Sequence, residues 1–222
     1  MISLVGLAMA FSTLLIVANI MAVKLISIGA FVVPVAVVAY PLTFLVTDTI
    51  SEIYGRRVAI KVVWLGFIMN ILMVILIYVG KIIPAVSFWE GQEAYNTILG
   101  SVPRIVLASM VAYLASQHHD VFAFHFWRRL TKARFLWLRN NASTMVSQGL
   151  DTVLFISIAF AGTVPTNILL NMIVGQYLTK LVIAALDTPF CYMLVALIKN
   201  KRGVSRLSPA GSLVEQSMSG DD

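Results

Sequence analysis

The sequence predicts an all-α membrane protein: a bundle of six transmembrane helices with both termini on the cytoplasmic side. Three observations support this prediction. Apolar residues make up 59% of the 222 residues and charged residues only 12%, whereas a soluble domain carries roughly 45–50% and about 25%. Long apolar runs recur six times along the chain, and the basic residues are concentrated in alternate loops between them. These features indicate a chain that is solvated by lipid.

The apolar runs give the positions of the predicted helices. A span needs roughly 20 mainly apolar residues, and runs of about this length or more lie at 2–23, 28–47, 59–79, 104–126, 143–164 and 167–198. We expect residues 1–202 to form one transmembrane domain and the polar residues 203–222 to form a disordered tail. The first run lacks a basic leader and a small-residue cleavage site, so we interpret it as a retained span.

Basic residues give the orientation. Twelve of the sixteen Lys and Arg residues lie between the second and third runs, between the fourth and fifth runs, and after the last run. They are Arg56, Arg57, Lys61, Arg128, Arg129, Lys132, Arg134, Arg139, Lys199, Lys201, Arg202 and Arg206. The positive-inside rule places these loops in the cytoplasm. The span count is then even, and the expected location is the cell inner membrane.

The last apolar run is longer than a bilayer requires. As one helix, residues 167–198 would measure roughly 48 Å, against a hydrocarbon core of about 30 Å. Two spans in this run would place the basic tail outside, against the positive-inside rule. We therefore expect one long span that is tilted or broken, with a kink near Pro189 and a lead-in along the outer surface from Asn167.

Several ionisable residues lie within or at the ends of the apolar runs. They are Asp48, Glu52, Asp120, Asp151, Lys180 and Asp187. Each costs at least about 2.5–3.5 kcal/mol at the centre of a membrane, so such side chains are expected to face a bundle interior or a wet cavity. Interhelical salt bridges are the structural alternative. Because packing alone does not require four buried acids, we interpret the set as the lining of a functional site.

The depths of these residues support a single polar layer. At about 1.5 Å per residue, six polar side chains from four helices lie roughly 12–18 Å from the cytoplasmic basic anchors. They are Asp48, Gln117, Asp120, Gln148, Asp151 and Asp187. The motif SQxxD, at 116–120 and again at 147–151, supplies four of them. The same count of residues predicts that Lys180 lies nearer the outer face of the membrane.

Helical periodicity places polar residues on narrow stripes of three predicted helices. At 100° per residue, each stripe stays between apolar faces. The stripes are Tyr40, Thr43, Thr47, Ser51 and Tyr54; Ser109, Tyr113, Ser116 and Asp120; and Gln176, Lys180 and Asp187. A bundle that turns these stripes inward encloses a lined cavity.

Other classes of function leave weaker signals. The single cysteine, Cys191, excludes an internal disulfide and a cysteine-based metal cluster. His118 and His119 could belong to a metal site or a proton relay, but solvated histidines near the headgroups are the interpretation we favour. No GxxxxGK[ST] loop is present, so the chain is not itself an ATPase. A membrane enzyme and a channel stay open as alternatives to a transporter, which a layer of mixed hydrogen-bonding groups suits best.

The motif residues resemble those of the vitamin uptake transporter family, also called the YhhQ-type family, whose bacterial members import queuosine precursors. The resemblance begins at residues 40–43 and 48–57, and continues through Ala108-Ser109, both SQxxD motifs, Lys180 and residues 187–189. Asn19 and Lys24 match polar positions of the family's first span. The resemblance covers about residues 10–200.

This resemblance implies a six-helix importer of 7-cyano-7-deazaguanine and 7-aminomethyl-7-deazaguanine, with no enzymatic activity, cofactor or metal. A carboxylate can accept the N–H and the exocyclic amine of a guanine-like edge, and glutamine amides can satisfy its carbonyl and ring nitrogen. Tyr40, Tyr113 or Tyr177 could stack on the base. The expected substrate-binding residues are Asn19, Tyr113, Gln117, Asp120, Gln148, Asp151, Lys180 and Asp187.

Two hypotheses for the energy source of transport stay open. The protein is either a proton-coupled carrier, with Asp48 and Glu52 as the titrating pair, or the substrate-capture subunit of an energy-coupling ATPase module. The expected partners are the lipid bilayer, a 7-deazapurine, and a second copy of the chain or such a module. A nucleic-acid partner is not expected, because the basic residues lie in short loops.

Overall fold

The structure, a computed structural model, describes the backbone of residues 3–130 and 136–201 and the side chains of residues 3–119 and 145–183. Helices dominate the described chain, as predicted. The elements are α1 (Leu4–Met21), β1 (Leu25–Ile28), β2 (Phe31–Pro34), a 3-10 turn (Val35–Val38), α2 (Tyr40–Tyr54), α3 (Arg56–Ile82), α4 (Gln92–Leu99), α5 (Val102–Leu130), α6 (Leu136–Phe160) and α7 (Thr166–Lys201).

Apolar helices face outward as well as inward. Among the described residues, three segments are long and apolar enough to cross a membrane: Leu4–Met21, Arg56–Ile82 and Gln92–His119, which runs from α4 into α5. On α3, Ile68 and Leu76 are 54% and 61% exposed. A soluble protein rarely exposes a large contiguous apolar surface, so these helices indicate a multi-pass membrane protein. The count of six spans stays a prediction.

The second apolar run differs from the prediction. We expected a helix over 28–47, but the chain forms an antiparallel hairpin in which Leu25 lies opposite Pro34 and Ile28 opposite Phe31. Helix α2 begins only at Tyr40. Val and Ile favour strands, and Gly29 adopts a φ of 59° at the turn. A short apolar run does not distinguish a strand from a buried helix, which is why hydropathy missed the hairpin.

The hairpin packs on α7. The Asn171 side chain accepts a hydrogen bond from the Val32 backbone N–H at 2.8 Å and donates one to the Ala30 carbonyl at 3.0 Å. Gly175 permits the close approach, because a Cβ at this position would lie 2.6 Å from the Phe31 Cβ. Backbone groups that are withdrawn from water require hydrogen-bond partners, and α7 supplies two of them here.

A single residue joins α2 to α3. Helix α2 ends at Tyr54, α3 begins at Arg56, and Gly55 between them has a φ of 86°. This left-handed conformation favours glycine, which has no Cβ. With 15 residues, α2 is about 22 Å long, shorter than a hydrocarbon core of about 30 Å.

The last apolar run forms one continuous helix, so it is a single element and is not broken. Helix α7 contains 36 residues and is therefore about 54 Å long. Pro189 lies within its bounds, in the part where side chains are not described. The short helix α4 precedes α5 in a segment that we had treated as a loop. The predicted tail, 203–222, lies outside the described residues.

Two polar contacts join helices outside the cavity described below. The Asn19 side chain of α1 donates a hydrogen bond to the Asn70 Oδ1 of α3 at 2.7 Å, and both residues are buried. The Arg104 guanidinium of α5 donates to the carbonyls of Ile158 and Ala161, at the carboxyl end of α6. A cation at this end is favoured by the helix dipole. These contacts fix α1 to α3 and α5 to α6.

The α1–α3 contact gives a stability prediction. We expect Asn19→Ala to lower the free energy of unfolding by about 1–2 kcal/mol, because it leaves the buried Asn70 Oδ1 without its donor. Thermal unfolding in detergent micelles measures this change. The double variant Asn19→Leu/Asn70→Leu removes both polar groups and is expected to recover most of the loss. A double variant less stable than Asn19→Ala would contradict the assignment of this contact.

Candidate functional site

A cavity of about 300 Å³ lies among the helices, and all of them except α4 contribute to its lining. Its polar lining residues are Thr43, Thr47, Asp48, Ser109, Gln117, Asp151 and Lys180. Its apolar and aromatic lining residues are Phe11, Leu15, Tyr40, Phe44, Val63, Phe67, Ala112, Tyr113 and Phe155. Small-molecule sites begin at about this size and combine an apolar wall with a few polar groups.

An ion pair joins α6 to α7 at the cavity. The Lys180 Nζ lies 2.5 Å from the Asp151 Oδ2, and the two side chains are 7% and 22% exposed. Removing two charges from water is unfavourable unless they are paired closely. Each residue therefore provides the counter-charge that allows the other to lie inside the bundle.

The structure joins Lys180 to the predicted polar layer, from which the residue count had separated it. Counting from Lys199 placed it nearer the outer face, whereas the structure places its ammonium against Asp151. The count assumed that each helix runs straight along the membrane normal from an anchor at the same level. Helix α7 is too long for that assumption. The long lysine stem also carries its charge away from the backbone.

Aromatic rings form much of the cavity wall. The Lys180 Nζ lies 5.9 Å from the centroid of the Tyr40 ring, a distance at which a cation is attracted to the ring face. The Tyr40 and Phe44 centroids are 6.5 Å apart, and Phe67 meets Tyr113 edge to face at 5.1 Å. These rings offer flat apolar surfaces beside the ion pair.

Helix α2 contributes an acid and two hydroxyls to the lining. Asp48 and Glu52, one turn apart on α2, are both exposed, and of the two only Asp48 lines the cavity. The hydroxyls of Thr43 and Thr47 donate to the carbonyls of Tyr40 and Thr43 at 2.8 and 2.6 Å. Because their hydrogens are used within the helix, these hydroxyls present acceptor oxygens to the cavity.

The other predicted site residues lie in several places. Asn19 and Gln148 are not part of the lining; Asn19 instead bonds to Asn70, as described above. Tyr177 is also outside the lining, and its hydroxyl donates to the Met145 carbonyl at 3.3 Å. Asp120 and Asp187 belong to α5 and α7, but their side chains lie outside the described residues.

The histidines on α5 take part in helix contacts. The His118 Nδ1 lies 2.7 Å from the Leu114 carbonyl, which requires this nitrogen to carry the hydrogen and donate it. The His119 Nδ1 lies 3.1 Å from the Ser147 Oγ on α6. Within the described part of the chain, no group of three or more His, Cys, Asp or Glu residues could hold a metal ion.

Some residues at the site were not nominated from the sequence. The sequence places Thr43, Thr47 and Ser109 on polar stripes, but the expected ligands on those stripes include none of these hydroxyl residues. The sequence does not distinguish the lining residues Phe11, Phe67 and Phe155 from other phenylalanines, because phenylalanines occur throughout the apolar runs.

Gln176 is a second buried polar side chain on α7, one turn before Lys180. It is 1% exposed, and neither of its amide atoms has a hydrogen-bond partner among the described residues. A buried group left unpaired costs about 1–3 kcal/mol. The sequence places Gln176 on a polar stripe but does not distinguish it as a ligand.

Comparisons with known proteins agree on one family. The family described as "Putative vitamin uptake transporter" matches residues 34–194. The "Probable queuosine precursor transporter" of Bacillus subtilis is 34% identical over 184 residues, which cover 82% of this chain and 80% of that protein. No solved structure matches the chain.

Two further relatives match over shorter regions. The "Queuosine precursor transporter" of Escherichia coli is 33% identical over 122 residues, covering 55% of this chain and 52% of that protein. The "Probable queuosine precursor transporter" of Haemophilus influenzae is 31% identical over 121 residues, covering 54% and 49%. The matched region thus spans about half the length of each of these two relatives.

The ion pair gives a second stability prediction. We expect Asp151→Asn and Lys180→Met each to destabilise the protein by about 3–5 kcal/mol, because each leaves one charge without its partner. The double variant removes both charges and is expected to be more stable than either single variant. Thermal unfolding in detergent measures all three.

Lys24→Met, which removes an exposed lysine from the loop after α1, is the control and is expected to unfold like the wild type. Additive losses in the double variant would show that the two charges do not depend on each other.

Proposed function

The chain belongs to the vitamin uptake transporter family that its sequence resembles, and on that premise we propose that it imports queuosine precursors across the cell inner membrane. Its substrates are 7-cyano-7-deazaguanine and 7-aminomethyl-7-deazaguanine. The observation that carries the proposal is the cavity, which combines aromatic walls with acid, amide and ammonium groups inside an apolar bundle. We assign the chain no catalytic reaction, in line with the transporter names of its relatives.

The chemistry of the cavity suits a flat, polar heterocycle. Tyr40, Phe44 and Tyr113 provide faces on which a base can stack, at about 1–3 kcal/mol per base in other systems. Asp151 and Asp48 provide acceptors for ring and amino N–H groups, and Gln117 provides both a donor and an acceptor. A bound base can therefore exchange its hydration for contacts with the protein.

The proposed binding residues fall into two groups. Tyr113, Gln117, Asp151 and Lys180 line the cavity and are proposed to contact the base directly. Asp120 and Asp187 are retained as candidates from the motifs that contain them. Gln148 and Asn19 are assigned supporting positions, since neither belongs to the cavity lining.

The proposed topology has six spans and both termini in the cytoplasm. Arg56 and Arg57 then lie at the cytoplasmic start of α3, and the β1–β2 hairpin, α4 and Arg104 lie toward the outer face. The concentration of basic residues in three loops supports this orientation. The cavity then lies between the two membrane surfaces.

We propose a carrier mechanism that is coupled to protons. Asp48 is the candidate coupling acid because it lines the cavity, and Glu52 lies one turn away on the same helix. The alternative is a substrate-capture subunit that associates with an energy-coupling ATPase module. A second copy of the chain is the other candidate protein partner.

The first functional prediction concerns the substrate. A bacterial strain blocked in deazaguanine synthesis is expected to regain queuosine in its tRNA when it receives this gene together with 7-cyano-7-deazaguanine. Ser109→Phe is expected to abolish the recovery, because the larger side chain occupies the cavity that Ser109 lines. Mass spectrometry of tRNA nucleosides provides the measurement.

Val111→Phe is the matched control. It adds the same ring two residues away on α5, at a position that is 38% exposed and not part of the cavity lining. Recovery is expected to be normal with this variant. If the wild-type gene restored no queuosine despite normal amounts of protein in the membrane, the proposed substrate would be wrong.

The second functional prediction concerns coupling. Reconstituted vesicles are expected to accumulate the labelled base when an inward proton gradient is imposed without ATP. Asp48→Asn is expected to lose this accumulation but to retain exchange of base across the membrane, since an amide does not titrate. Glu93→Gln, an exposed acid on α4, is the control. Accumulation that needs an added ATPase module would favour the alternative.

A further inference from the structure

The Asp151–Lys180 pair lies in the wall of the cavity with both side chains in its lining. Resting on the proposed function, we propose that the two side chains act as one recognition unit for the 2-amino-6-oxo edge of a guanine-type base. Asp151 accepts from the 2-amino group and the N1–H, and Lys180 donates to the 6-oxo oxygen. The pair thus determines the chemical class of the substrate as well as joining two helices.

The argument begins with the pattern of donors and acceptors. An ionised carboxylate only accepts hydrogen bonds, and an ammonium only donates them. With the Lys180 Nζ 2.5 Å from the Asp151 Oδ2, the pair presents two acceptors and then a donor in close succession. A guanine-type edge presents an amino donor, an N–H donor and an oxo acceptor in that order. The two patterns are complementary.

The hydrogen-bonding capacity of the lysine supports this role. An ammonium has three donors, and Asp151 engages one of them. The Lys180 Nζ also lies beside the Tyr40 ring, 5.9 Å from its centroid. A base stacked near this ring would bring its oxo group within reach of the ammonium, while its amino group faced the carboxylate.

Other bases fit the pair less well. An adenine-type edge places an amino group where the ammonium also donates, and a bare ring nitrogen where the carboxylate also accepts. Unpaired buried polar groups of this kind give strong discrimination between related ligands. A hypoxanthine-type edge keeps the oxo and N–H groups but leaves part of the carboxylate without its amino partner. The expected order of affinity is guanine-type, then hypoxanthine-type, then adenine-type.

A purely structural role does not require this pair. Replacing a buried ion pair by apolar residues of similar volume is often neutral or stabilising, so packing α6 against α7 could be achieved without charges. The charges are also placed in the lining of the cavity rather than at a closed helix contact. Ligand recognition accounts for both facts.

The test measures binding of four bases to the purified full chain in lipid nanodiscs. The bases are 7-deazaguanine, its 6-thio analogue, 7-deazahypoxanthine and 7-deazaadenine. The wild type is expected to bind 7-deazaguanine roughly tenfold more tightly than the thio analogue, whose sulfur is a weak acceptor, and roughly ten- to hundredfold more tightly than 7-deazahypoxanthine. Binding of 7-deazaadenine is expected to be weakest.

The variants separate the two halves of the unit. Lys180→Met is expected to lose the preference for oxo over thio while it keeps the preference for the 2-amino group. Asp151→Asn is expected to show the converse. Lys180→Arg keeps a cationic donor and is expected to retain the oxo preference, which provides a second test if Lys180→Met yields too little folded protein.

The outcomes distinguish this inference from the proposed function. If the wild type binds 7-deazaguanine but Lys180→Met weakens the oxo and thio bases equally, recognition by the pair is wrong and the proposed substrate stands. In that case the oxo-to-thio preference of Lys180→Met equals that of the wild type, which is the result that overturns the inference. If the wild type binds none of the four bases, the proposed function and the inference fail together.

Discussion

The pairing of charge inside a bilayer is the constraint on which the architecture depends. Lipid offers no water to a charged side chain, so Asp151 and Lys180 must lie against each other where α6 and α7 meet. Neutral polar groups follow the same rule at smaller cost: Asn19 bonds to Asn70, and Asn171 satisfies two backbone groups of the hairpin. Because polar groups are gathered at these contacts, the outer surfaces of the helices can stay apolar. The cavity lies beside the most strongly charged of them.

The sequence predicted the helices better than it predicted what joins them. Apolar length alone located α1, α3 and α5 to within about four residues at each end, and α6 to within about seven. It also predicted one element in the place of α7, with its continuity left open. The hairpin was missed because a short apolar run has the same hydropathy whether it pairs as strands or coils as a helix. Its conformation depends on a contact with Asn171, which lies 139 residues from Val32 along the chain. Helix α4 was missed because its few apolar residues gave no span signal.

The part of the candidate site that could be predicted consists of residues whose burial in a membrane has a high free-energy cost. Asp48 and Asp151 were selected for that reason, and Gln117 for its depth and its motif. The structure places all three in the lining of one cavity. The position of Lys180 was not predictable from residue counts, because helix tilt and the length of the side chain both alter depth. The aromatic wall could not be predicted either. Placing a phenylalanine side chain in lipid carries no free-energy penalty, so its presence in a span does not reveal whether it faces a ligand. Only packing of the helices distinguishes the two cases.

The ion pair also bears on how the protein is made. Asp151 lies 29 residues before Lys180, so α6 leaves the ribosome with an acid whose partner has not yet been synthesised. At about 5–20 residues per second, the delay lasts a few seconds. Asp151 is the only charged residue of the apolar run 143–164, and its partner Lys180 arrives only with α7. We therefore expect the insertion machinery to hold α6 until α7 arrives and to release the two into the bilayer together, which makes closure of the cavity the last step of biogenesis.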